Sequence, residues 1–535
     1  PDERLFIAAS RSFQGGHWAT SAKWFRELIT RHQNSGRRPR AVLMRLQALY
    51  MQGVAEDQNA HFTAALNELV QNPLEDTPLV DEALFWKAEC HAKLNTPEAA
   101  ALAYQQLLRD HASSLRAMEA VVALANLSAA ASDWAKVVEH LQPAESVFQK
   151  SRAANPDTEA ALEGGLLLAQ ALFAQGNHTA ARTVLGGVPA KLDPGRDWRR
   201  CLLRARIAAA DDQMDEAELL GDQLRTMAEQ QNSVDRLVAA YEFRAGLFAA
   251  KSQWAKARGE WGHLLKDSLP VAVRQRAALN VALSDIRAGD FSAAATVFQK
   301  IQAEPKFASI HAQSDCLLGE LNLAMHRSGQ GNKLQLAESY FKQQIQNETN
   351  RVLRAQALWG FAQCQLGRKD DASRESLQSA LELAPGKLMR SQLQFQLATD
   401  FARANAHAEA WAGFANVRTN SVEGISADLL NAARFMQFKS TLAAGDLPAA
   451  GALLAEMRAQ AGASHLDKAL LALAQSAIDR REPETARTLL VEFQQQAPGS
   501  NLSAAAELET IRLLVQESKW PEANAAYVKW LAANP

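Results

Sequence analysis

The sequence predicts an all-α fold: an α-solenoid of about fourteen antiparallel helix hairpins stacked in series. Three observations predict it. Hydrophobic residues make up 47% of the 535 positions and charged residues 22%, while Gly (27) and Pro (17) are sparse, so helix formers fill most of the chain. Apolar residues recur at three- and four-residue spacing on both sides of short polar turns. One pattern of small, turn-forming and bulky residues then returns along the chain at fixed offsets.

The pattern is plainest in AECHAKLNTPEAAALAYQQLL, residues 88–108, where Ala88, Asn95, Ala100, Tyr104 and Leu107 stand in register. The same offsets select Ala245, Ser252, Ala257, Trp261 and Leu264, and again Ala282, Gly289, Ala294, Phe298 and Ile301. They return in Ala398, Asn405, Ala410, Phe414 and Val417, and in Ile511, Ser518, Ala523, Tyr527 and Trp530. The small residues let two helices cross closely. The turn residue tolerates the left-handed backbone that ends a helix. The bulky residue fills the gap to the next hairpin, because one hairpin cannot bury both of its faces.

In chain order, 2–31 turns at Gly16, restarts at Trp18 and carries Phe25 as its bulk. Residues 39–72 are a degenerate copy. Residues 81–110 turn at Asn95, and Pro97 falls in the first turn of the second helix, where a missing N–H costs little. Residues 115–149 are degenerate around Trp134. Residues 162–190 turn at Gly176, and the degenerate 198–228 turns at Asp212. Residues 238–266 carry Ser252, Trp254 and Trp261; residues 275–303 carry Gly289, Phe291 and Phe298. The degenerate 311–346 has an insertion, SGQGNK (328–333), and Phe341 as bulk. Residues 353–383 turn at Gly367, 391–419 carry Asn405 and Phe414, and 431–459 carry Gly445 and Pro448. Residues 467–496 restart at Pro483. The last hairpin, 504–533, has Ser518, Trp520, Pro521 and Tyr527.

Linkers are short. Residues 1–150, 151–350 and 351–535 are expected as thirds of one continuous solenoid, with soft points at 33–40, 150–158, 186–196 and 418–426 and a bend near 150–195. A compact ball of this length has a radius of gyration of about 24 Å, and a serial stack should exceed it well.

The formal net charge is −2, so no bulk field draws nucleic acid or an anionic membrane. The basic clusters RRPR (37–40) and GRDWRR (195–200) read as solvated loops or helix starts. No apolar stretch approaches the length of a membrane span. Cys90, Cys201, Cys316 and Cys364 are far apart with no CxxC pair, and read as small buried apolar residues. The histidines, among them His91 and His178, are scattered singly. Asp211 with Asp212, and Asp370 with Asp371, sit where helix caps belong. No GxSxG, HExxH or phosphate-binding loop occurs. The chain is expected to be no enzyme and to carry no cofactor or metal.

The spacing resembles the tetratricopeptide repeat, whose period is about 34 residues; here turns recur roughly every 36–43. The resemblance covers nearly the whole chain and implies a curved right-handed superhelix. It also implies that the first helix of each hairpin lines a concave groove. Carried onto this sequence, the inward offsets select Phe6, Phe13, Phe85, Glu89, Phe173, Arg206, Phe361, Phe395, Arg403, Phe435, Lys439 and Arg512. That groove has aromatic and basic positions and suits an extended peptide or a helix from another protein. It lacks the ordered Lys/Asn set of the subgroup that grips chaperone C-termini. The units look most like bacterial envelope tetratricopeptide proteins, the barrel-assembly lipoproteins and Tol–Pal coordinators. The resemblance therefore implies a non-catalytic scaffold or adaptor in a cell-envelope assembly, periplasmic or attached peripherally to the outer membrane. The opening PDERLFIAAS has no apolar signal core, so any leader is expected to be gone. The alternatives are a cytoplasmic regulator that binds a peptide or small signal, and an enzyme on an α/α scaffold.

Overall fold

The computed structural model describes residues 2–189, 191–368, 370–419, 427–459 and 465–534. Among them the chain forms α-helices, one 3-10 turn and no strand. It divides into two units, residues 1–247 and 248–535.

Unit 1 contains α1 (Asp2–Gln14), α2 (Trp18–Arg31), α3 (Arg38–Glu56), α4 (Asn59–Gln71), α5 (Val80–Lys93), α6 (Pro97–Asp110) and α7 (Ala117–Ala130). It continues through α8 (Trp134–Leu141), α9 (Val147–Ala154), α10 (Glu159–Ala174), α11 (His178–Gly186), α12 (Pro194–Ala210) and α13 (Met214–Gln230). Helix α14 (Val234–Ala250) straddles the division. From α1 to α13 each helix packs on the next, and first helices also meet first helices: α1 on α3, α3 on α5, α7 on α10 and α10 on α12. Helices α5 and α7 share a core cluster through Leu84, Phe85, Ala88, Ala117, Ala120 and Leu124, but their backbones approach less closely than those of these pairs.

Unit 2 contains α15 (Trp254–His263), α16 (Val271–Ala288), α17 (Phe291–Ala303), the 3-10 turn Pro305–Ile310, α18 (His311–Arg327), α19 (Leu334–Asn347) and α20 (Arg351–Gly367). There follow α21 (Ser373–Leu383), α22 (Lys387–Arg403), α23 (His407–Thr419), α24 (Ala427–Ala443) and α25 (Leu447–Arg458). The last are α26 (Leu466–Asp479), α27 (Pro483–Gln496), α28 (Ser503–Gln516) and α29 (Trp520–Ala533). Packing again runs in series, with α16 on α18, α18 on α20, α22 on α24 and α26 on α28. In each unit the architecture is a tetratricopeptide-like stack of helix pairs.

The turns follow the sequence logic. Asn95, Asp212, Ser252, Asn405 and Ser518 take positive φ, as do Gly16, Gly176, Gly289 and Gly445. In several turns the next residue caps the second helix: Asp133, Asn177, Asp290 and Asp446 each accept a backbone N–H from three residues on. Pro97 and Pro483 open their helices, and Pro448 and Pro521 stand second. Gly367 differs: it is the last residue of α20, and Arg368 follows it as the cap. The SGQGNK insertion lies between α18 and α19, with Gly329 and Gly331 at positive φ.

The bulky positions explain why the stack holds. Phe25, Tyr104, Phe298, Phe341 and Phe414 are buried, and Ala88 and Ala100 have no exposed surface. Phe341 lies against two glycine backbones. A Cβ added at Gly319 would stand 2.6 Å from its ring, and one at Gly360 2.3 Å. Trp261 is only half-buried. Tyr527, at the same offset in the last hairpin, is 44% exposed.

Helix α9 was not expected from the sequence; 150–158 read as a soft point, and most of it is this helix and its cap. Phe148 anchors α9 in the core, in a hollow where a Cβ at Gly164 would fall 2.3 Å from its ring. The soft point 33–40 is a turn that runs into α3, and 186–196 joins α11 to α12. Most of 418–426 lies outside the described residues. The borders expected near 150 and 350 fall within α9 and at the cap of α20.

Candidate functional site

Between α5, α7 and α10, unit 1 opens a concave cleft of about 840 Å³. First helices supply its walls: Phe85 and Glu89 from α5, Met118, Glu119, Val122 and Ala123 from α7, and Ala160 and Glu163 from α10. The irregular helix α9 and its exit close one side through Ser151, Asn155 and Thr158. The departure from the regular repeat thus coincides with this concavity.

Each wall is fixed by its neighbours. Ser114, just before α7, donates to Asp81 at the start of α5, at 2.6 Å, while its own oxygen accepts the Arg116 N–H. The same clasp joins Ser35 to Asp2 and Ser500 to Asp467, each at 2.6 Å and each 33 residues apart. The Ser35 hydroxyl holds the Asp2 carboxyl below the usual carboxylate range. Arg116 lies over the Phe85 and Trp86 rings and pairs with Glu119 at 2.6 Å. Arg196 at the start of α12 pairs with Glu159 at 2.6 Å, and Arg199 with Glu163 at 2.9 Å. The cluster GRDWRR is therefore a helix start whose arginines bind back to the preceding hairpin.

Glu89 is held differently. Tyr50 donates to one carboxylate oxygen at 3.0 Å and Tyr104 to the other. Burial, reinforced by the Glu89 charge, pushes both phenols above their ordinary range. Burial likewise pushes the neighbouring Cys90 thiol up to about 12.

The other residues selected by sequence fall in different settings. Phe6 packs edge-on to Phe25 at 5.7 Å under Arg37, and Phe13 packs on Trp18 at 4.9 Å. Phe85 is 6% exposed, so it forms floor rather than a projecting contact. Phe173 and Arg206 line a smaller cleft of about 190 Å³ with Arg199. In unit 2, Phe395 and Arg403 line a cleft of about 370 Å³ with Trp359 and Gln396. Phe361 lies under Lys342, and Phe435 stacks on His465 at 5.1 Å. Lys439 is exposed, and Arg512 is tied to Asp479 at 2.6 Å and to Glu509 at 3.5 Å. The structure brings Phe85 and Glu89 together, Phe173 with Arg206, and Phe395 with Arg403.

Sequence reasoning missed the carboxylates Glu119, Glu159 and Glu163 and the wall from α9. The Ser–Asp clasps had a signal, an Asp and a Ser recurring 33 residues apart. Among the described residues no group of three or more His, Cys, Asp or Glu is placed to hold a metal, and no helix is long and apolar enough to cross a membrane.

The cleft wall includes the stretch on which a family model matches. Residues 82–114 match the tetratricopeptide repeat. The match spans most of α5, all of α6 and the clasp residue Ser114. No curated protein matches the chain. Among solved structures, a chain in the crystal structure of the APC/C hetero-tetramer Cut9-Hcn1 is similar, with a TM-score of 0.34 and 13% identity. That similarity covers 91% of this chain and 98% of the other. A score of that size carries no argument about function.

Proposed function

We propose that this protein is a non-catalytic scaffold that binds other proteins through its concave face, as a subunit of a bacterial cell-envelope assembly. The observation that carries the binding role is the open cleft between α5, α7 and α10, with an apolar floor and a polar rim. A surface of that kind takes an extended segment or a helix of a partner. The tetratricopeptide match on α5 and α6 supports the same role. The envelope setting, periplasmic or peripheral to the outer membrane, rests on the likeness of the individual units to envelope tetratricopeptide proteins.

Affinity capture from the host, compared with an Ala123→Trp variant that fills the cleft, tests the binding role. A partner should co-purify with the natural chain and be lost with the variant at unchanged thermal stability. Equal recovery with both would remove the cleft from the account. Fractionation of the host tests the location: recovery in the cytosol would contradict the envelope setting.

A further inference from the structure

The scaffold reading leaves the partner's chemistry open, and the cleft's charges narrow it; the inference below rests on that reading. Four carboxylates and one arginine line the cleft. Three of the carboxylates already have cations: Glu119 has Arg116, and Glu159 and Glu163 share Arg196 and Arg199. Glu89 has none among the described residues. Its contacts are the two phenols of Tyr50 and Tyr104, which fix the carboxylate in place without neutralising it. A carboxylate accepts up to about four hydrogen bonds, so two tyrosines leave capacity for a further donor. Met118 and Val122 offer apolar surface across the same cleft.

We infer that Glu89 is the anchor for a basic side chain, and that the unit 1 cleft takes a partner segment bearing lysine or arginine beside an apolar residue. The ammonium or guanidinium supplies the missing charge, in a charge-assisted hydrogen bond to an oxygen that needs no reorientation. The adjacent apolar residue lies on Met118 and Val122. An acidic segment would meet an excess of carboxylates and is disfavoured. This cleft is acidic, whereas the smaller cleft of Phe173, Arg199 and Arg206 in the same unit has the aromatic and basic character expected from sequence.

Random 12-residue peptides displayed on phage, panned against the full chain, test this. The recovered peptides should share a Lys or Arg next to Leu, Met, Ile or Phe. Resynthesised and measured by fluorescence polarisation, they should weaken at least tenfold against Glu89→Gln and lose much of their salt dependence. Glu139→Gln, outside the cleft, should leave affinity unchanged. Should Glu89→Gln fold poorly, the natural chain answers alone: replacing the peptide's basic residue with Glu should abolish binding. Peptides without a basic residue, or peptides indifferent to both substitutions, overturn the inference but leave the scaffold reading standing if Ala123→Trp blocks them. Recovery of no peptide at all counts against both.

Discussion

Phe341→Ala is the sharpest perturbation of the stack. The ring is 1% exposed and rests on the backbones of α18 and α20 at Gly319 and Gly360. Removing it leaves a void between two helices with no side chain at hand to fill it, so the cost should lie near about 4 kcal/mol. Cys316 and Cys364 lie in the same cluster as Phe341, and burial pushes both thiols up to about 12. At neutral pH a thiol reagent reaches them only when this part of the chain opens. A loss of about 4 kcal/mol raises the open fraction, and hence the labelling rate, by about a thousandfold. Cys90 and Cys201, in unit 1, are buried in clusters that Phe341 does not touch. Stacked hairpins couple chiefly to their neighbours, so these two should label at their former rates. Mass spectrometry of the labelled peptides reads all four sites at once. Equal acceleration at Cys90 and Cys201 would refute serial coupling.

Gly360→Ala should cost about 1–3 kcal/mol, read as a lower urea midpoint, because its methyl meets the Phe341 ring. Ser114→Ala removes the clasp to Asp81 and should cost about 1–2 kcal/mol, seen as faster hydrogen exchange at the start of α7. Tyr104→Ala should cost about 3–5 kcal/mol, whereas Tyr527→Ala, at the same repeat offset but 44% exposed, should stay within about 0.5 kcal/mol by thermal melting. Burial lowers the pKa of His91, His140 and His465 below the ordinary histidine value. The unfolded chain then binds more protons between the lowered values and about 6.5, so stability should fall as pH drops through that window. Urea melts at pH 7.5 and 5.5 check the sign, and His140→Gln should reduce the dependence.

Much of the architecture was legible because each hairpin repeats one local chemistry. A left-handed turn residue, a cap or proline after it, and small residues at the crossing are all short-range signals, and Asn95, Pro97 and Ala88 show them together. Tyr527 was misread because it shares its offset with Tyr104, and an offset does not encode burial: Tyr104 is 1% exposed and Tyr527 44%. Helix α9 escaped because it is short and unpaired, and its anchor Phe148 docks on Gly164, sixteen positions further along the chain. The cleft was half legible. The offsets found Phe85 and Glu89 on a regular hairpin, but Glu119 belongs to a degenerate one and the α9 wall to none. Tyr50 contributes from the hairpin before, and nothing in its local sequence marks it as a partner of Glu89.

The central claim is that partners bind the inner face of unit 1. A photo-reactive residue placed in turn at Ala123, Asn126 and Ala160 inside the cleft, and at the 67% exposed Leu102 of α6 away from it, tests this in the host. The account predicts a discrete cross-linked partner from the three inner positions and none from Leu102. Cross-links from Leu102 with silence inside the cleft would contradict it.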